Sequence, residues 1–203
     1  VAYSDTVRDL LMSAVKASAA PGPKPIQTLE RFELQRTWHD EVLQTQADSA
    51  AFVACWQALA HGKPSDGMLL KPLIQTARSL MTTVGNQSNL ILDPDLDSYY
   101  SMSLVVLRFP ELVGVLHDAS QAVAHKRLAA HSDRALTSTT LLILAGQLDA
   151  IQQAIASDYK QAYAAGGKTF RDGLQAPQLA LDGQISQLLA KVQLFAEQDI
   201  SAT

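Results

Sequence analysis

Residues 136–167 read LTSTTLLILAGQLDAIQQAIASDYKQAYAAGG, and the spacing of their apolar positions decides the fold class. Leu136, Leu141, Leu144, Ala145, Leu148, Ile151, Ile155 and Tyr159 recur mostly three or four apart, which gathers them on one face of a helix. Ser132 and Asp133 precede the run and suit a helix start. Gly166 and Gly167 follow it and predict the stop, because glycine readily takes the left-handed conformation that ends helices. Beyond them, Leu181, Ile185, Leu188, Leu189, Val192 and Phe195 mark a last helix.

The same period extends towards the N-terminus. A helix from Pro94 to about Ala130 is expected to bend near Pro110, whose ring collides with the carbonyl of Val106 and whose nitrogen has no proton to donate. Leu69, Leu73, Ala77, Leu80, Met81 and Val84 mark an earlier helix, ended by rising polarity at Asn86. Thr28, read as an N-cap, opens a pattern of Leu29, Phe32, Trp38, Val42, Ala50, Val53, Ala54 and Leu59. It predicts one helix to Ala60, roughly 50 Å long at about 1.5 Å per residue. The Pro21, Pro23 and Pro25 break separates it from a first helix over Tyr3 to Ala19. No stretch alternates apolar and polar residues over strand length. The expectation is therefore all-α, a single domain over 1–203 of about six mostly long antiparallel helices, in one bundle or two stacked ones.

Composition agrees with packed helices, since 47% of residues are apolar and only 6% aromatic. A net charge of −4 with scattered Lys and Arg offers no basic stripe, which excludes the electrostatic footprint of a nucleic-acid binder. Cys55 is the single cysteine, so neither an intramolecular disulfide nor a thiolate cluster can form. There is no run of about 18 apolar residues and no basic region leading into an apolar one. With Val1 in place of an initiator Met, the expectation is a piece excised from between two membrane spans.

Enzyme signatures are missing at the level of chemistry. Gly167, Lys168 and Thr169 resemble the end of a phosphate loop, but Ala162 stands where that loop needs glycine. A helix cap followed by a polar turn is the preferred reading. Neither His-Glu-x-x-His nor Gly-x-Ser-x-Gly occurs, and His39, His61, His117, His125 and His131 share no ligand spacing with carboxylates. Most of them read as solvated or helix-end residues, and no metal or cofactor is expected.

The densest polar segment runs from Asn86 to Tyr100, Asn-Gln-Ser-Asn-Leu-Ile-Leu-Asp-Pro-Asp-Leu-Asp-Ser-Tyr-Tyr. Asp93 before Pro94 suits an N-cap with proline at the first helical position, and Asp95 and Asp97 then lie near the positive end of the helix dipole. The Asp93, Asp95, Asp97 spacing also resembles the start of a calcium loop, but Ser98 replaces the required glycine and Leu104 the final Glu. Capping leaves unexplained the gathering of Asn86, Asn89, Asp97, Tyr99, Tyr100 and Arg108 around one helix junction. Tyrosine joins an apolar ring to a polar tip, which suits a pocket between helices, and these six are the candidate ligand contacts. Asp93, Pro94 and Asp95 are assigned to fixing the junction.

This run, followed by Met102 and by Arg108-Phe109-Pro110-Glu111-Leu112, resembles the extracytoplasmic helical input region of bacterial hybrid histidine kinases. Similar regions occur in methyl-accepting chemotaxis receptors and diguanylate cyclases. Val1-Ala2-Tyr3 is similar to the start of that region just after the first membrane span, whereas Pro21 to Pro25 depart from its more polar pattern. The resemblance implies a periplasmic sensor of a small molecule, tethered to the membrane through its first and last helices. It further implies a cytoplasmic kinase module beyond this fragment, no catalytic residue within it, and pairing of two receptor chains as a homodimer. The rival expectation is a soluble helical interaction or scaffold protein.

Overall fold

The computed structural model describes residues 24–61, 67–88, 95–128 and 131–198. The expected first helix, Tyr3 to Ala19, lies outside them. The described residues are all-α, without a strand. Helix α1 is Lys24–Leu43, α2 Gln46–His61 and α3 Gly67–Gln87. Helix α4, Leu96–Leu128, begins as α-helix, widens to a π-helix over Ser103–Arg108 and returns to α-helix at Phe109. The stretch His131–Glu197 is two helices, α5 over 131–166 and α6 over 168–197, separated at Gly167.

The expectation of one helix from Thr28 to Ala60 is corrected. Gln44 has φ of 51°, which takes the backbone out of the helix. The Thr45 carbonyl then accepts the Ser49 amide at 2.9 Å, making Thr45 the N-cap of α2. Asp40 holds the break together, accepting from Thr45 Oγ1 at 2.8 Å and from Ser49 Oγ at 2.5 Å, with all three side chains buried. In a continuous helix Phe32 and Phe52 would stand about 30 Å apart. Their ring centroids are 5.4 Å apart, edge to face, so the chain folds back on itself.

The chain divides into two compact units. The first contains α1 to α3 and residues 105–110 of α4. Leu70, Leu73, Ile74, Ala77, Leu80, Met81 and Val84 form the buried stripe of α3, and Phe52, Val53 and Trp56 that of α2. Asp48 of α2 clips the pair by accepting from Ser79 Oγ and Thr83 Oγ1 of α3 at 2.8 and 2.7 Å.

The second unit contains residues 94–104 and 111–203. Ser103 donates to Asp158 at 2.8 Å and His125 pairs with Thr137 at 3.3 Å, two contacts that run in opposite order along α4 and α5 and make these helices antiparallel. Helices α5 and α6 are antiparallel as well. Leu141 and Ala145 pack on Val192 and Ala196, while Gln152 Nε2 donates to Asp182 Oδ1 at 2.5 Å and Ser186 Oγ at 2.7 Å. Lys126 is 3% exposed, donates to the carbonyls of Phe195 and Ala196, and lies over the Phe195 ring at 4.7 Å. A cation thus satisfies carbonyls that the last turn of α6 leaves open, at the negative end of its dipole.

Helix α4 is the one described helix long and apolar enough to cross a membrane by length and composition, with mean hydropathy 1.2. Arg108 and Glu111 interrupt it, and Met102, Leu104, Val106 and Leu112 are buried within the protein. The π-helical turn Ser103–Arg108 lies directly before Phe109 and Pro110, the place where the sequence predicts a bend.

Candidate functional site

Helix α4 starts two residues later than expected. Asp95 occupies the N-cap in an extended conformation and makes no side-chain capping bond, while Asp93 and Pro94 lie outside the described residues. Asp97 accepts from the amide of its neighbour Ser98 at 2.8 Å. No group of three or more His, Cys, Asp or Glu among the described residues could hold a metal ion. His117 is buried, unlike the solvated or helix-end histidines expected from sequence.

The six candidate contacts fall into different places. Asn86 is exposed in the last turn of α3, Arg108 is half-buried at the end of the π turn, and both belong to the first unit. Asn89 lies outside the described residues. Asp97, Tyr99 and Tyr100 belong to the second unit, where the two tyrosine rings meet edge to face at 5.2 Å.

The segment carrying these tyrosines, Leu96–Met102, packs on the stretch His131–Glu197. The Ser103 to Asp158 bond fixes its register. Tyr99 and Tyr100, one turn before Ser103, fall level with Ala162 and Tyr163, one turn after Asp158. Tyr159 and Tyr163 are each 8% exposed with centroids 5.6 Å apart, and Phe170 of α6 lies 6.2 Å from Tyr163. The Arg171 guanidinium stands 5.9 Å from the centre of the Tyr163 ring, within the range of a cation–π contact. The hairpin end of the second unit thus carries Tyr159, Tyr163 and Phe170 in successive ring contacts, with Tyr99 and Tyr100 at about the same level of α4.

The hairpin turn makes this end. Gly167 has φ of 73° and ψ of −167°, a region essentially closed to other residues. Gly166 leaves room for Phe170, since a Cβ there would stand 2.9 Å from the Phe170 ring. The predicted stop at this glycine pair is therefore where the chain turns, but α6 begins at once, so Lys168 and Thr169 are helical rather than a polar turn.

Electrostatically, burial raises the phenol pKa of both Tyr159 and Tyr163. For Tyr163, the neighbouring Tyr159 adds to that shift and Arg171 opposes it. Both rings therefore keep their protons and remain donors. The Tyr163 hydroxyl is sealed from solvent with no hydrogen-bond partner among the described residues, as is Ser138 Oγ. Such an orphaned group costs about 1–3 kcal/mol.

Sequence reasoning placed Tyr159 in the core and did not single out Tyr163, Phe170 or Arg171. The available signal was the i, i+4 pair Tyr159 and Tyr163 just before two glycines, with an aromatic and a basic residue just after them. No family model, curated protein or solved structure matches the chain.

Proposed function

We propose that the chain is the ligand-sensing input domain of a membrane-anchored bacterial receptor, a hybrid histidine kinase by the resemblance of residues 86–112, and that it detects a small molecule in the periplasm. The observation that carries the reading is the aromatic end of the second unit. There Tyr99 and Tyr100 of the resembling segment stand level with Tyr163, next to a guanidinium and an unsatisfied phenol. Buried rings beside a few polar groups suit a small-molecule site. Antiparallel helices that tie this end to the far end of the unit suit transmission, because a ligand with different affinities for two helix arrangements shifts their populations.

A thermal-shift panel of organic acids, amino acids, amines and plant-derived aromatics tests the reading, since a compound that binds only the folded state raises its melting temperature. A rise with at least one class is expected, and none across the panel would reject ligand sensing. Alkaline phosphatase joined after residue 203 of the intact receptor's domain should be active only if the domain is exported. An inactive fusion would reject the periplasmic placement.

The scaffold reading retains one observation, the exposed side chains Leu34, Trp38 and Val42, spaced four apart along α1. It would be favoured if the panel gave nothing and the chain captured a folded partner through α1.

A further inference from the structure

Tyr163 is 92% buried by its 8% exposure, yet its hydroxyl has no partner among the described residues. Buried polar groups in native proteins are overwhelmingly paired, so a lone exception at a candidate site points to a group that arrives from outside. The hydroxyl keeps its proton and must donate, so it calls for an acceptor. Arg171 adds fixed positive charge above the same ring, with its side chain otherwise exposed.

Two of the carboxylates nearby already accept hydrogen bonds, and a third, Asp172, is exposed beside Arg171 in the sequence. Asp158 accepts from Ser103 at 2.8 Å, and Asp97 Oδ1 accepts from the Ser98 amide at 2.8 Å. Arg171 already covers one face of the ring that would attract a cationic ligand and would repel it. An anion meets both a donor and a cation, and its apolar body meets rings.

We propose that the hairpin end of the second unit binds the carboxylate of a small aromatic acid between the Tyr163 hydroxyl and the Arg171 guanidinium, with the ligand ring packed against Tyr159 and Phe170. Phe170 is the α6 ring nearest this hydroxyl's phenol, with centroids 6.2 Å apart. It sits in the first turn of α6, half-buried, with its ring laid into the notch that Gly166 leaves open. The assignment deepens the sensor reading by naming its ligand class, and it rests on that reading.

Calorimetric titration of the 203-residue chain with benzoate, benzamide and benzylamine tests it. Benzoate should bind one to one, benzamide at least ten-fold more weakly, and benzylamine not measurably. Tyr163→Phe and Arg171→Gln should each weaken benzoate at least ten-fold. Tyr163→Phe should leave the melting temperature of the free protein unchanged or higher, because the hydroxyl it removes holds no partner.

Absence of benzoate binding at millimolar concentration would overturn the proposal, as would binding equal in both variants or a preference for benzylamine. If another class from the thermal-shift panel stabilises the protein while benzoate does not bind, this site falls and the sensor reading stands.

Discussion

Asp40 shows how much one side chain decides. Its two carboxylate oxygens hold Thr45 and Ser49, both fully buried, across the break that turns a single apolar pattern into two helices. Removing the carboxylate leaves the buried Thr45 hydroxyl without its partner and Ser49 Oγ with only the Gln46 carbonyl at 3.2 Å, and a lost partner in a buried site costs about 1–3 kcal/mol. Asp40→Ala should therefore lower stability by about 1–3 kcal/mol by urea denaturation. Asp40→Asn keeps one acceptor and should lose about half as much. Equal stability of wild type and Asp40→Ala would show that the break is held by other contacts. Lys126 does a comparable task at the other end of the sequence, where its ammonium group closes the last turn of α6.

At the level of elements, the turn between α5 and α6 depends on a conformation that only glycine takes cheaply. Gly167→Ala should cost about 1–3 kcal/mol although no atom lies within 4 Å of the added methyl, because the penalty is in the backbone. A melting temperature equal to wild type would refute the turn geometry. This turn was legible from the glycine pair, and so was α3, whose expected apolar residues from Leu73 to Val84 are buried. The break at Gln44 was not read. Trp38 and Val42 extended the apolar pattern across it, yet both are exposed, and the buried positions of α1 include Phe32 and the polar Asp40. The missed signal was Thr45 with Asp48 three residues on, the spacing of a helix start. Tyr99 and Tyr100 were legible as candidates because they stand beside an acidic helix entry. Tyr163, Phe170 and Arg171 were not, because their proximity depends on a reversal of the chain that local patterning does not measure.

For the whole molecule, the two buried tyrosines set a limit on stability at high pH. An unfolded chain releases phenol protons near pH 10, while folded Tyr159 and Tyr163 hold theirs to higher pH. The unfolded state therefore loses protons first. Their contribution is fully present below about pH 10 and is lost as pH rises through the folded values. Urea midpoints should fall as pH rises above about 10, and fall less in a Tyr159→Phe, Tyr163→Phe double variant. Identical pH profiles would mean that neither phenol is shielded.

The division of aromatic residues between the two units gives the protein a built-in pair of optical reporters. Trp38 and Trp56, the only tryptophans, belong to the first unit, whereas four of the five tyrosines, Tyr99, Tyr100, Tyr159 and Tyr163, belong to the second. Emission excited at wavelengths absorbed by indole alone reads the first unit. Near-ultraviolet absorbance changes from phenol read chiefly the second. Each half of an unmodified chain thus reports its own melting in a different part of the spectrum, without a label or a substitution.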